Sequence, residues 1–317
     1  METLVLAADL GNYDLKYWDG NGKPKAIRST KFKIPNGRKA LKSDNLNPVV
    51  ELKGERFHFG HRAYLYRSQS HTVETEKANE ALLNLLACVE PVATEFKLHV
   101  HTSHPSDEQF EKSITKQLVG THYFKRNGKE AVVTIESVAV EPEGLGAWKH
   151  SKNLGLVPEM GLSVVLDIGG GTWLSRLLSP DGEIIESTVS ERGGAYDLAV
   201  NIASDDRLKD AVQDQPDPAV VMDGFASGSH YYAANASASW RPWLNEYLEP
   251  WFKGIFGKVS NQYKRYLPQI TRILVTGGSA HLVEDKLKGL SPFLVIPEPR
   301  FSNVRGLLPT AKAGVRV

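Results

Sequence analysis

Two short stretches decide how this chain folds: LVLAADLGNYDLK at residues 4–16 and SVVLDIGGGTW at residues 163–173. In each, an apolar run leads to an aspartate, one further apolar residue and a glycine. The apolar runs are typical of buried β-strands, and the glycines mark the turns that follow them. Asp9 and Asp167 lie 158 residues apart in a chain of 317 residues, so the same strand–turn–strand unit occurs once in each half. This repeat predicts two similar α/β domains.

Turns of this kind are suited to binding phosphate. Glycines let the backbone approach an anion and point N–H groups at it, and Thr172 adds a hydroxyl donor. Lys16, on the strand after the first turn, carries a charge that can reach a β- or γ-phosphate. Asp9 and Asp167 repel phosphate, but carboxylates bind hydrated Mg²⁺. Two domains that face each other across a cleft would therefore bring both turns to one nucleotide and its metal ion.

A third glycine turn, Gly277-Gly278-Ser279-Ala280, follows the apolar strand predicted at 273–276. Backbone exposed at such a turn can pack flat against a purine ring or a sugar. The G-x₄-G-K-[ST] sequence of a Walker loop is absent from the chain. Three glycine turns, each directly after an apolar strand, predict a nucleotide-binding protein of another type.

The composition excludes several classes of protein. Hydrophobic residues make up 41% of the chain and charged residues 24%, which is enough apolar surface for a folded protein. The formal net charge of +1 gives no reason to expect direct binding to DNA or to an anionic membrane. The single cysteine, Cys88, excludes an intramolecular disulfide and a multi-cysteine zinc site, and we expect it to be buried. No apolar run approaches the roughly 18 residues of a membrane span, so we expect a cytoplasmic protein.

Periodicity predicts further elements along the chain. Strands are expected at 97–102, 132–135, 137–140, 162–168, 273–276 and 293–296, with a hairpin formed by 173–178 and 183–189. Helices are expected at 76–89, 105–118, 143–152, 193–203 and 243–266. Residues 30–70 are expected to form a small, basic and loop-rich insert, and residues 205–239 a variable surface region.

These motifs resemble the actin-like ATPase superfamily, which includes actin, heat-shock ATPases and sugar kinases. DLGNYDLK at 9–16 resembles its first phosphate loop, DIGGGT at 167–172 the second, VAVEPEGLGA at 138–147 the connecting segment, and ILVTGGSA at 273–280 the adenosine motif. The segment PRFSNVRG at 299–306 is similar to a run in ParM/StbA-type plasmid-segregation actins. The chain departs from many relatives at 173–174, which are Trp and Leu, and at 101–105, which read HTSHP.

The resemblance implies an α/β, ribonuclease H-like duplicated, two-domain fold with a central nucleotide cleft. Domain I is expected at 1–145, with the insert at about 30–70. Domain II is expected at 146–317, with a variable subdomain at about 195–265 and a C-terminal tail that returns to domain I.

The resemblance also implies a set of site residues. Mg²⁺ is expected to be held, through water, by Asp9 and Asp167. The expected nucleotide-binding residues are Asp9, Gly11, Asn12, Tyr13, Lys16, Gly169, Gly170, Gly171, Thr172, Glu191, Gly193, Gly277, Gly278 and Ser279. The helix at 258–265 is a further candidate for a place beside the purine.

Glu143 is the catalytic candidate implied by the Pro-Glu step, because it can position or deprotonate the water that attacks the γ-phosphate. Asp167 can assist by holding that water through Mg²⁺, and Glu141 is the reserve candidate. The alternative is that Glu143 only begins a helix after Pro142.

The function implied is a polymerising ATPase whose nucleotide-dependent filaments segregate plasmid DNA. Its ligands would be ATP or GTP with Mg²⁺, and its partners other copies of itself, a DNA-binding adaptor protein and a plasmid centromere. A small-molecule, sugar-type kinase and a non-polymerising, chaperone-like nucleotide switch are the alternatives. The basic segment 23–42 is a solvated face or a contact for a neighbour or an adaptor complex.

Overall fold

A computed structural model describes residues 1–66, 80–104, 108–188 and 191–308. They divide into two compact units. Unit 1 comprises Met1–Ala147 and the segment that begins at Asn303, and unit 2 comprises Trp148–Ser302.

Unit 1 is built on a nine-stranded sheet. Its strands are β1 (Glu2–Leu10), β2 (Asp14–Trp18), β3 (Lys25–Arg28), β4 (Lys31–Ile34), β5 (Val49–Leu52), β6 (Glu55–Phe59), β7 (Glu95–His104), β8 (Gly120–Arg126) and β9 (Lys129–Pro142). Its helices are α1 (His61–Tyr64), α2 (Ala81–Cys88), α3 (Glu108–Leu118) and the beginning of α4 (Leu145–Asn153). The parts of the predicted helices at 76–79 and 105–107 lie outside the described residues.

The unit 1 sheet runs in the order β3-β2-β1-β7-β9-β8-β5-β6-β4, with β1, β7 and β9 parallel. Strands β3 and β4 lie at opposite edges, yet only Ser29 and Thr30 separate them in sequence. A step of three residues spans at most about 10 Å, so the sheet must curl until its two edges approach each other. The N–H of Gly60 joins them by donating to Arg28 O at 3.2 Å and to Thr30 O at 3.0 Å.

Residues 31–59 are more regular than the sequence predicted. Strands β4, β5 and β6 belong to the main sheet, because β5 pairs with β8. Each of these strands has four or five residues, so the alternation is too short to distinguish it from a loop. Similarly, the two strands predicted at 132–135 and 137–140 form one strand, β9, in which Glu136 is an extra residue at a bulge.

The core of unit 1 lies between this sheet and the helices. Strand β7 alternates, and its buried side chains Phe96, Leu98 and Val100 share one hydrophobic cluster with Leu85 and Leu86 of α2. Cys88, at the end of α2, lies in the same cluster and is only 1% exposed. Its predicted burial is confirmed, and this burial raises the pKa of the thiol to about 12.

Unit 2 has a smaller sheet with strands β10 (Leu162–Ile168), β11 (Thr172–Leu178), β12 (Ile184–Ser187), β13 (Glu191–Arg192), β16 (Ile270–Thr276) and β17 (Phe293–Val295), and a separate hairpin of β14 (Tyr231–Tyr232) and β15 (Asn235–Ser239). Its helices are α5 (Ala195–Ala203), α6 (Asp206–Val212), α7 (Pro218–Ser227), α8 (Leu244–Gln262) and α9 (Glu284–Leu287), and α10 (Ser302–Leu307) begins at its last residue. Short 3₁₀ helices lie at Lys264–Gln269, Ala280–Leu282 and Pro299–Phe301.

The internal repeat is visible in the strand order of the two units. Unit 2 has β12-β11-β10-β16-β17 where unit 1 has β3-β2-β1-β7-β9, and in both an antiparallel meander continues into parallel strands. Asp9 faces Lys16 across the first hairpin, and Asp167 faces Leu174 across the second. The two aspartates therefore occupy equivalent positions, but only the first has a lysine opposite it.

Residues 205–239 contain helices that the sequence analysis missed. Asp205 accepts a hydrogen bond from the N–H of Arg207 at the start of α6, and Asp217 accepts one from the N–H of Ala219 at the start of α7. Both are ordinary N-cap signals, and Pro218 at the first position of α7 is a third. Both helices are short, so their apolar residues do not form a stripe long enough to identify them. Within the described ranges, none of the helices combines the length and apolar character needed to cross a bilayer.

Gly60→Ala is expected to destabilise unit 1 strongly. Gly60 has φ +86°, and an added Cβ would lie 2.4 Å from Leu46 O. We expect a loss of roughly 1 kcal/mol from the backbone conformation and a further 1–3 kcal/mol from the overlap, measured by urea unfolding. Gly54→Ala is the matched control, since Gly54 has φ +79° with open space around it. Equal losses in the two variants would contradict the proposed contact.

Cys88 is expected to resist thiol reagents in the native protein. A buried thiol with a raised pKa supplies almost no thiolate at pH 8. Labelling with a chromogenic disulfide should therefore be negligible until denaturant is added, and then reach one thiol per chain. Rapid labelling of the native protein would show that α2 opens readily.

Candidate functional site

The first predicted phosphate loop joins β1 to β2. Asp9 is buried, and its Oδ2 lies 2.9 Å from the Nζ of Lys16. Gly11 turns so tightly that an added Cβ would lie 2.8 Å from Asp14 O. The loop therefore presents a lysine beside a buried carboxylate, with a backbone that only glycine fits at position 11.

Residues at the end of β3 fix the rest of this loop. The Ser29 N–H donates to Tyr13 O at 3.0 Å, and the Ser29 hydroxyl donates to Asn12 O. The Arg28 guanidinium stacks on the Tyr13 ring, 3.7 Å from its centre. Sequence reasoning missed Arg28 and Ser29, because their pairing with the loop arises only when β3 folds back against β2.

Acidic residues collect at the carboxyl ends of the parallel strands β1, β7 and β9. Ala8 of β1 pairs with Thr102 of β7. The next residues along these two strands, Asp9 and Ser103, therefore lie side by side. Ser103 in turn pairs with Glu141 of β9. Two strand spacings place Asp9 and Glu141 about 10 Å apart. Glu143 lies just beyond the end of β9, where its N–H donates to His104 O at 2.8 Å.

Ser103 is a candidate that the sequence analysis did not identify. It is a buried residue on the middle strand, level with Asp9 and Glu141, and its hydroxyl has no hydrogen-bond partner among the described residues. A buried polar group normally has such a partner, so this hydroxyl is suited to a ligand or a water molecule. Nothing in the HTSHP sequence distinguishes this serine before the strands are placed in register.

The second phosphate loop, Gly169–Thr172, is held by the start of α5. The N–H groups of Gly194, Ala195 and Tyr196 donate to the carbonyls of Gly171, Gly169 and Gly170, at 3.3, 3.2 and 2.7 Å. A Cβ on Gly194 would lie 2.6 Å from Gly170 O. Because C=O and N–H point in opposite directions in a trans peptide, the N–H groups of Gly170 and Gly171 point away from α5. They are available to an anion.

The third glycine turn packs directly against the second loop. The N–H of Ser279 donates to Ile168 O at 3.0 Å, and its hydroxyl donates to Gly169 O at 3.1 Å. Gly277 has φ +97°, and an added Cβ would lie 2.3 Å from Asp167 Oδ1. Gly278, in contrast, has open space beside it. The backbone of Gly277 therefore packs directly against the Asp167 carboxylate. We call Asp167, together with the turns Gly169–Thr172 and Gly277–Ser279, the cradle.

Glu191 and Gly193 lie beside this cradle. Strand β13 pairs with β11, so that Glu191 is opposite Trp173. The Nζ of Lys258 lies 3.8 Å from Glu191 Oε2, and Trp251 Nε1 donates to Gly193 O at 2.9 Å. Trp173 is buried, so its side chain belongs to the core of unit 2.

Comparison with known proteins agrees with this architecture. Residues 7–146 match the family model described as the N-terminal domain of actin-like proteins. The crystal structure of the archaeal actin homologue Ta0583 in complex with ADP superposes on the chain with a TM-score of 0.78. The alignment covers 96% of this chain and 97% of Ta0583, at 18% sequence identity. The chain has the actin-like fold.

Other actin-like structures superpose equally widely. A 15-stranded ParM filament from Clostridium botulinum gives a TM-score of 0.73 at 16% identity, covering 97% of this chain and 98% of that one. The actin-like protein Alp7A gives 0.73 at 15% identity, with coverages of 96% and 95%. No curated protein sequence matches the chain significantly. The predicted resemblance to ParM-type actin-like proteins and the predicted two-domain α/β fold are confirmed.

Within each unit, residues that are distant in sequence lie at the carboxyl ends of parallel strands. Unit 2 joins Asp167, the 169–172 loop, the 193–194 turn and the 277–279 turn. Unit 1 places the Asp9–Lys16 pair on the same edge of its sheet as Glu141 and Glu143. The carboxyl edge of a parallel sheet is where open α/β folds bind ligands.

Gly277→Ala is expected to damage the cradle, whereas Gly278→Ala leaves it intact. The first substitution combines a left-handed backbone with a Cβ overlapping Asp167 Oδ1 and Ile168 O. We expect a loss of roughly 2–4 kcal/mol in unfolding free energy for Gly277→Ala. For Gly278→Ala we expect a change within about 0.5 kcal/mol. Similar urea unfolding curves for the two variants would mean that Gly277 does not contact Asp167.

Proposed function

We propose that this protein is a polymerising actin-like ATPase, whose nucleotide-dependent filaments segregate plasmid DNA in the cytoplasm. The proposal rests on the cradle of unit 2. There, N–H groups at the start of α5 donate to the carbonyls of the 169–172 loop, so the N–H groups of Gly170 and Gly171 point to the opposite side. Such outward N–H groups after a strand suit a phosphate.

The nucleotide contacts proposed are those of the three glycine turns. In unit 2, the backbone of Gly169–Thr172 binds phosphate, and Gly277, Gly278 and Ser279 with Glu191 and Gly193 contact the nucleoside. In unit 1, Gly11, Asn12 and Tyr13 supply backbone, and Lys16 supplies positive charge. Support for an adenine nucleotide comes from Ta0583, which was crystallised with ADP. ATP is therefore the first nucleotide to test, with GTP as the alternative.

Asp9 and Asp167 are proposed to hold Mg²⁺ through water. Their carboxylate oxygens are the donors that Mg²⁺ prefers. When bound, the ion neutralises charge on the β- and γ-phosphates. In this proposal Lys16 exchanges its bond to Asp9 for one to phosphate, so that Asp9 becomes available.

Hydrolysis needs a positioned water molecule more than it needs covalent chemistry from the protein. Glu143 is proposed to orient that water and to accept its proton. Its N–H is anchored to His104 O, which places it directly after β9, on the edge that also carries Asp9. Glu141 is level with Asp9 and remains the reserve candidate.

Self-association is proposed because ParM from Clostridium botulinum and Alp12 form filaments. A DNA-binding adaptor and a plasmid centromere are the further partners that a segregation role requires.

Pelleting assays with ATP, ADP and a non-hydrolysable analogue test the proposal. Sedimentable filaments with phosphate release support it. Phosphate transfer to a sugar would instead identify a kinase, and a soluble monomer in every nucleotide state a chaperone-like switch.

Glu143→Gln is expected to slow phosphate release by about 100-fold or more, because the amide cannot accept a proton. Nucleotide affinity and filament assembly should stay within a few-fold of the wild type. Glu183→Gln, an exposed carboxylate on the β11–β12 turn, is the matched control and should hydrolyse normally. If Glu141→Gln alone slowed hydrolysis, the catalytic role would pass to Glu141.

A further inference from the structure

His281 connects the third glycine turn to helix α7. Its Nδ1 lies 3.0 Å from Gly278 O, and its Nε2 lies 3.0 Å from Phe225 O. Both partners are carbonyl oxygens, which only accept hydrogen bonds, so each ring nitrogen must supply a proton. A neutral imidazole carries one N–H, whereas an imidazolium carries two. This arrangement, which we call the His281 bridge, is therefore that of an imidazolium.

The position of Phe225 favours the same charge state. Helix α7 ends at Ser227, so Phe225 lies in its last turn. The carbonyls of a last turn carry the negative end of the helix dipole, and a cation beside them is stabilised. The last turn of α7 contains no basic residue of its own. His281 supplies that cation from a distant part of the chain.

The bridge holds one peptide group of the glycine turn from its second side. In the peptide that joins Gly278 to Ser279, the Ser279 N–H donates to Ile168 O at 3.0 Å, and Gly278 O accepts from His281. The two groups of a trans peptide point in opposite directions, so this peptide is held between the end of β10 and the imidazole. Loss of the bond from His281 would leave it held at its N–H alone.

His230 is a second histidine beside the bridge. Burial lowers its pKa most, and the positive charges of Arg241 and His281 lower it further. His230 therefore favours its neutral form, which suits a positive charge on His281. The other charged side chains on the adjoining elements are Asp223 of α7, Glu284, Asp285 and Lys286 of α9, and Arg300 of the 3₁₀ helix at Pro299–Phe301. Histidine is the side chain whose charge ordinarily changes between pH 5 and 8, so the two histidines are the groups that respond there.

We propose that His281 is a positioning residue for the nucleotide site, because as an imidazolium it ties the Gly278 turn to α7. Loss of its second proton removes one of the two hydrogen bonds. The bridge then opens at the turn or at the helix. The turn is one of the surfaces that contact the nucleoside in the proposed function, on which this inference rests. Nucleotide affinity should therefore fall when His281 becomes neutral.

The bridge itself is tested by NMR on the full chain, with ¹⁵N-labelled histidine. Ring N–H protons that are hydrogen-bonded exchange slowly with water and give visible signals. At pH 6 we expect two such signals from His281, both missing in His281→Gln, and we expect one of them to disappear as the pH is raised to 8.5. A single ring N–H signal at pH 6, or none, would overturn the proposal.

Nucleotide binding tests the positioning role. Between pH 6 and pH 8.5 the ADP affinity of the wild type should weaken by about fivefold more than that of His281→Gln, the value of one net hydrogen bond. His281→Arg keeps a permanent charge and several donors, so at pH 8.5 it should bind ADP more tightly than His281→Gln. The control His61→Gln removes an exposed histidine of unit 1 and should follow the wild-type profile.

The two measurements separate failure of this inference from failure of the proposed function. If the wild type and His281→Gln bind ADP with parallel pH profiles, the positioning role is wrong and the nucleotide function stands. If the wild type binds neither ADP nor ATP at any pH, the proposed function fails and the positioning role with it, whereas the ring N–H signals still decide whether the bridge exists.

Discussion

The close approach of Gly194 and Gly277 to the end of β10 is the constraint on which unit 2 depends. At both positions a side chain would overlap backbone or Asp167, so the start of α5 and the turn after β16 can meet the 169–172 loop only as glycine. Their hydrogen bonds take up the loop carbonyls, and the planar peptide then directs the N–H groups of Gly170 and Gly171 to the opposite side. A surface suited to an anion thus results from packing.

The two units repeat one strand pattern but do not offer the same chemistry. Lys16 faces Asp9 in unit 1, whereas Leu174 faces Asp167 in unit 2. In place of a lysine, the loop of unit 2 contains three consecutive glycines. It also packs against a second glycine turn and the start of a helix. Unit 1 therefore offers a positive charge and unit 2 offers fixed backbone donors, and each suits phosphate in a different way.

Helix α8 packs beside the candidate site of unit 2. Trp251, near the middle of the helix, donates to both Gly193 O and Gly194 O beside the loop. Nearer the N-terminus of the helix, Glu246 pairs with Arg207 of α6. The helix therefore links the 193–194 turn to α6 within unit 2.

The sequence by itself determined the repeat, the strand–glycine turns, the strands at 162–168 and 273–276 and the actin-like resemblance, because these depend on local patterns of apolar residues and glycines. It did not reveal that Ser29 donates to Asn12, that Ser103 lies between Asp9 and Glu141, or that residues 205–239 contain helices. The first two depend on strand register between distant segments, which a local pattern does not contain. The helices are short, and capping marks their starts without an apolar stripe long enough to identify them. Only the tertiary structure decided which glycines touch Asp167, since that contact joins residues 110 positions apart.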